Sequence, residues 1–302
     1  MATLRDCKMI SLARGQYRAE ILAEVGGRLA SYYELGERGR FDYIRPMPLD
    51  VDVSEGVFQG GSYPLVPYSN RISQGRFSFE GQDYQLPAHK ICLPHAIHGV
   101  AWERAFEVVF QSEEEVILSY VHEADEAWPW DFTLLSTYRL EEDGLFMGME
   151  ITNDTDAKQP VSLGFHPYFN RLEGTRLSFK ADYLWQAYED CLPKQKVTPS
   201  EGYDYEAGAE LPAFQIDHIY QNFHGLGKVE WPEQARSLEV SSDESLKYLV
   251  LYTPVGRDYF CFEPVRNMTD GLNRGYEGDE SLGMKILGPE EKLSTYMRLK
   301  PL

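Results

Sequence analysis

Cysteine is scarce in this chain of 302 residues, and the four present, Cys7, Cys92, Cys191 and Cys261, stand far apart. None belongs to a C-x-x-C pair or to a Cys/His cluster at zinc spacing, so they read as separate reduced thiols. Long hydrophobic runs are missing as well. No segment approaches the ~18 apolar residues of a membrane span, and the first ten residues, Met-Ala-Thr-Leu-Arg-Asp-Cys-Lys-Met-Ile, lack the apolar stretch of a signal peptide. The expectation is a cytoplasmic protein with no membrane partner. Positive charge is in short supply, with 29 Lys+Arg against 48 Asp+Glu and a formal net charge of −19. That balance repels phosphate backbones, so nucleic acid is not expected as a partner. Linkers rich in Gly, Ser or Pro, fixed-period repeats and low-complexity tracts are also absent. Residues 1–302 are therefore expected to form one domain.

The dominant hydrophobic period is two rather than 3.6, and the punctuation is that of hairpins. Residues 137–151 carry Asp143-Gly144 between two alternating runs, the strongest short-range hairpin signal in the chain. Residues 77–86 repeat the idea around Gly81. Further strand candidates cover residues 20–25, 29–34, 106–110, 116–121, 161–165, 247–252 and 258–264. Spread over the whole chain, they predict an all-β antiparallel sandwich with few helices. Residues 40–60 and 174–212, with their Pro, Gly and acidic content, are expected to be long loops, either covering or lining a groove or serving as plain surface connections.

Glu263 is the most informative residue. It ends the apolar run Asp258-Tyr-Phe-Cys-Phe-Glu263-Pro264, where an ionised carboxylate is expensive unless something needs it. Alternation puts Tyr259, Cys261 and Glu263 on one face and Phe260 and Phe262 on the other. If the phenylalanines face the core, Glu263 faces a groove; the plain alternative is an edge-strand glutamate paired with Arg266. His166, in Gly164-Phe-His166-Pro167-Tyr168-Phe169-Asn170, is held extended by the following proline. Imidazole has the side-chain pKa best suited to proton donation near neutrality.

Two other clusters precede these. In Pro67-Tyr-Ser-Asn70-Arg71-Ile, the guanidinium suits sugar hydroxyls or one of the many carboxylates. His95-Ala-Ile-His98-Gly99 offers two histidines three apart, but Gly99 argues against the helix that a metal pair needs. A hydrogen-bond donor beside a pyranose resting on Trp102 and a satisfied structural histidine both remain open for His98.

Asn70-Arg71-Ile, His98-Gly99, Gly164-Phe-His166-Pro-Tyr-Phe, Ile216-Asp217 and Phe262-Glu263-Pro264 occur in the order found in the aldose 1-epimerases, and over nearly its entire length the chain resembles that family. The resemblance implies a single large antiparallel β-supersandwich of the galactose mutarotase-like type. It implies Glu263 as general base and His166 as general acid in the interconversion of α and β anomers of a free aldohexose. Asn70, Arg71, His98 and Asp217 become substrate-binding residues, a small-molecule aldose becomes the partner, and neither cofactor nor metal is required. The chain departs from the family pattern at Gly288-Pro289-Glu290-Glu291, where Pro-Gly-Glu is usual, and in the short loop between His98 and Trp102. A non-catalytic sugar-binding module and a mutarotase acting on a sugar phosphate are the alternatives.

Overall fold

A computed structural model describes residues 3–52, 58–275 and 282–302. It is built almost wholly from antiparallel strands, with a single short α-helix, Gly271–Gly275, among the described residues. The two predicted hairpins are present. Phe132–Glu141 pairs with Gly144–Asn153 in the register Glu141↔Gly144, so the turn residues are Glu142 and Asp143 and Gly144 opens the second strand. The reason is steric, since a Cβ on Gly144 would lie 2.2 Å from the carbonyl oxygen of Leu299. Arg76–Phe79 pairs with Gln82–Gln85 across Glu80-Gly81. Both turn residues have positive φ, 49° and 80°, as the tight primed hairpin turns demand.

Two layers face each other. One runs through Glu107–Gln111, Glu115–His122, Phe132–Glu141, Gly144–Asn153, Lys292–Pro301 and Arg236–Ser242. The other runs through Met9–Arg14, Tyr17–Leu22, Arg28–Gly36, Ser62–Leu65, Gly164–Asn170, Tyr259–Val265 and Tyr248–Thr253. The strand Ile216–Trp231, 16 residues long, joins them. Its first part pairs with Tyr248–Thr253 and its last with Arg236–Ser242.

Alternation along each strand then sorts the side chains. Leu118, Leu134, Met147, Leu249, Phe260, Phe262 and Phe169 fill the core between the layers. Tyr63, Tyr168, Val250, Ile219 and Cys261 belong to a second cluster on the opposite face of the second layer, where Trp102 caps them. The groove forms on that opposite face.

The two expected long loops are corrected in part. Residues 40–60 include most of the strand Gly39–Ile44, and residues 53–57 lie outside the described residues. Residues 174–212 contain the 12-residue strand Arg176–Ala187 and its partner Pro193–Val197. Leu177 and Phe179 are buried at alternate positions there, so two core contacts outweigh the loop-like composition of the flanks. Only the turn between these strands reaches the groove.

Candidate active site

The floor of the groove is a cross-strand row. Gly164–Asn170 pairs with Tyr259–Val265 through Gly164↔Val265 and Tyr168↔Cys261, a register that sets His166 opposite Glu263. The ladder is interrupted between those pairs, where Pro167 and Pro264 bring no backbone N–H donor. Tyr63 is opposite His166 on one side, and Val250 is opposite Glu263 on the other. The Phe262 and Phe260 rings point into the core, so Glu263 turns outward as alternation predicts. It sits on an interior strand beside His166 and not on an edge beside Arg266. His166 Nε2 lies 3.3 Å from Glu263 Oε1. The imidazole stacks on two aromatic neighbours, 4.4 Å from the Tyr63 ring and 4.9 Å from that of Tyr168, and meets His98 edge-on at 5.2 Å.

The wall is two tight segments locked together. The Asn70 N–H donates to His98 Nδ1 at 3.2 Å, and the His98 N–H donates to the Asn70 carbonyl at 3.0 Å. Both residues adopt left-handed backbone, φ 59° and 63°, which is unusual outside glycine and associated with functional sites. Gly99 is required by the same packing, because a Cβ there would lie 2.1 Å from the Val66 carbonyl oxygen. With Nδ1 accepting, the neutral His98 ring carries its proton on Nε2 and keeps a donor for a ligand. Asn70 Oδ1 accepts from the Arg71 backbone N–H at 2.8 Å and from its Nη1 at 3.1 Å. Arg71 Nη2 stands 3.6 Å from Asp217 Oδ2, to which the Cys191 thiol donates at 3.2 Å.

These elements enclose a pocket of about 390 Å³ lined by all six residues singled out from the sequence: Asn70, Arg71, His98, His166, Asp217 and Glu263. Tyr252, Tyr259 and Phe58 complete it with aromatic surface. Burial governs the electrostatics. Desolvation pushes the Glu263 carboxyl well above its usual value, Asp217 nearby adds to the rise, and Arg71 opposes it. Desolvation pulls His166 down to about 3 and drives His98 well below the usual imidazole range. The Glu263–His166 pair therefore holds one proton between two groups of opposite tendency, the arrangement expected of an acid/base couple.

The model of the family described as aldose 1-epimerase matches residues 8–300. The chain belongs to the aldose 1-epimerase family. It is 26% identical over 247 residues to the uncharacterized protein YphB of Escherichia coli (strain K12), covering 79% of this chain and 82% of that protein. Against the galactose mutarotase of Rattus norvegicus it is 27% identical over 226 residues, 70% of this chain and 64% of the relative. The fold matches that of a galactose mutarotase-like protein from Clostridium acetobutylicum with a TM-score of 0.86 at 20% identity, covering 100% of this chain and 97% of the other. The GalM/aldose epimerase homologue from C. elegans gives 0.82 at 18% identity, with 98% of both chains covered.

Within this member of the epimerase family, one sequence reading changes. Trp102 is fully buried and stacks beneath Tyr63 at 5.3 Å, so the aromatic surface available to a ring is Tyr252, Tyr259 and Phe58. His95 does not line the pocket; its Nδ1 accepts from the Gln74 N–H at 3.1 Å. The metal-capable trio among the described residues is elsewhere, with ligating atoms of His166, Cys261 and Glu263 all within 4.8 Å of one another. Burial raises both the Cys261 thiol and the Glu263 carboxyl, which disfavours the deprotonated forms that a metal needs. Tyr259 was readable from its alternation with Glu263. Cys191, Gln215 and Tyr252 reach the pocket only through tertiary placement, and no local pattern marks them.

Proposed function

We propose that this chain is a mutarotase that interconverts the anomers of a free aldohexose. The observation that carries the reading is the 3.3 Å approach of His166 Nε2 to Glu263 Oε1 on the pocket floor. Mutarotation needs one group to take the proton of the C1 hydroxyl and another to protonate the ring oxygen, two oxygens attached to one carbon. An acid and a base held this close fit that demand.

In the ring-opening step Glu263, as the carboxylate, takes the O1 proton while His166, as the imidazolium, gives its proton to O5. The C1–O5 bond breaks and C1 becomes an aldehyde. Glu263 is left protonated and His166 neutral, the distribution that burial favours at both residues. Rotation about C1–C2 presents the other carbonyl face, and closure returns both protons along the same paths. The total proton count of the pair never changes. Each positioned group contributes roughly 10² to 10⁴-fold in such reactions. His98 Nε2–H and Arg71 are placed to support charge on the oxygens, and Asp217 to accept from ring hydroxyls.

A non-catalytic sugar module would have no use for the Glu263–His166 couple. A phosphorylated substrate calls for a basic cluster, whereas among the described residues Arg71 is the one Lys or Arg that lines the pocket, and it is engaged by Asn70 and Asp217. Polarimetry on freshly dissolved α-glucose and α-galactose tests the proposal. The expected result is an approach to the equilibrium rotation that accelerates in proportion to protein concentration. Rotation at the uncatalysed rate for every aldose tried would overturn it.

A further inference from the structure

We infer that Cys191 is a positioning residue that fixes the rotation of the Asp217 carboxylate and so decides which oxygen reads the sugar; this rests on the assignment of Asp217 to ring hydroxyls. The Cys191 thiol donates to Asp217 Oδ2 at 3.2 Å, the oxygen that Arg71 Nη2 approaches at 3.6 Å. Two donors thus converge on Oδ2, and Oδ1 is the oxygen left for a hydroxyl of the substrate. Without the thiol, rotation of the carboxylate lets both oxygens turn toward the planar fork of Arg71, the preferred bidentate geometry of that pair.

The turn that delivers the thiol is built for placement. Cys191 has φ 63°, a conformation usually left to Gly or Asn, yet here a side chain is kept. Within the turn the Cys191 N–H donates to the Tyr188 carbonyl at 3.0 Å, and the Leu192 N–H to Asp190 Oδ1 at 3.1 Å. From outside, Arg274 Nη2 donates to the Pro193 carbonyl at 2.6 Å. Asp190 Oδ2 lies 3.6 Å from Nε2 of His95, a ring already held by Gln74. The buried His95, which is not part of the pocket, thus packs beside the Cys191 turn without a hydrogen bond from its Nε2 among the described residues. Burial beside Asp217 raises the thiol to about 12, so it remains S–H at working pH and acts as a donor rather than a nucleophile.

Anomer-exchange kinetics on Cys191→Ala, Cys191→Ser and the same changes in an Asp217→Asn background test this. Cys191→Ala should raise KM about threefold to tenfold, the weight of one modest hydrogen bond, with kcat within about twofold of wild type, and Cys191→Ser should recover most of the loss. In Asp217→Asn the alanine change should add nothing, because its target is gone. An unchanged KM in Cys191→Ala, or a full additional effect in the Asp217→Asn background, overturns the inference. Calorimetric titration of wild type and Cys191→Ala with glucose or galactose gives a readout independent of turnover. Sugar that binds a protein with no mutarotase activity, and binds Cys191→Ala more weakly, keeps Cys191 at the sugar and sinks the catalytic reading. An active enzyme whose Cys191→Ala variant binds sugar as tightly as wild type sinks the part given to Cys191.

Discussion

Glu263→Gln preserves shape and removes the basic site, so loss of nearly all rate with folding and sugar binding retained is expected. His166→Asn should act on the same chemical step. Each change should cost about 10² to 10⁴-fold in kcat. Because the proposed mechanism circulates one proton between the two, the double variant should be hardly slower than the worse single one, and wild-type rates in Glu263→Gln would remove it from the mechanism. Asp217→Asn is different in kind. A contact present in every state raises KM and spares kcat, so we expect kcat/KM to fall roughly 10 to 150-fold, equivalent to about 1.5 to 3 kcal/mol for a hydrogen bond to a charged group. A pure kcat defect would move Asp217 among the proton-transfer groups.

At the scale of strands and turns, the site depends on two segments meeting at His98-Gly99. Gly99→Ala places a Cβ 2.1 Å from the Val66 carbonyl oxygen at a φ of 68°, and a loss of about 3 kcal/mol is expected, the upper part of the usual single-substitution range. Denaturant unfolding would show it, and a change within experimental error would mean that the Val66 segment moves freely. Period-two alternation made the strands legible, and it aimed Glu263 outward because Phe260 and Phe262 are large enough to claim the core. It did not reveal that His166 lies opposite Glu263, since register between strands a hundred residues apart leaves no local trace. Nor did it mark Arg176–Ala187, where Leu177 and Phe179 supply only a short stretch of core pattern, or Cys191, whose role follows from the turn that carries it.

For the whole molecule, the buried couple sets a pH signature. In the unfolded chain Glu263 titrates near 4.5 and His166 near 6.5, so together they hold two protons below pH 4.5, one between, and none above pH 6.5. Folded, they hold one, with the carboxyl raised and the imidazole lowered. Stability rises with pH where the unfolded chain binds more protons and falls where it binds fewer. The couple's contribution should therefore climb up to pH 4.5, stay level to 6.5, and decline beyond that by at most about 1.4 kcal/mol per pH unit until the folded carboxyl titrates. Denaturant unfolding of wild type minus that of the Glu263→Gln/His166→Asn double variant isolates this profile, and a featureless difference would refute the shared proton. Chelation should leave turnover unchanged, because proton transfer between these groups needs no Lewis acid; activity that disappears with chelator and returns with a divalent ion would contradict that.

The strand that crosses from one layer to the other, Ile216–Trp231, has a consequence for how the chain acquires its chemistry. Asp217 sits at its start, while Arg71, His166 and Glu263 arrive from segments on either side in sequence. No contiguous fragment shorter than about two thirds of the chain contains all four. Closing loops of that span is the slow part of folding for a non-local β topology. A chain still emerging from the ribosome therefore has no partial pocket to offer, and the site arises as a late property of the assembled layers.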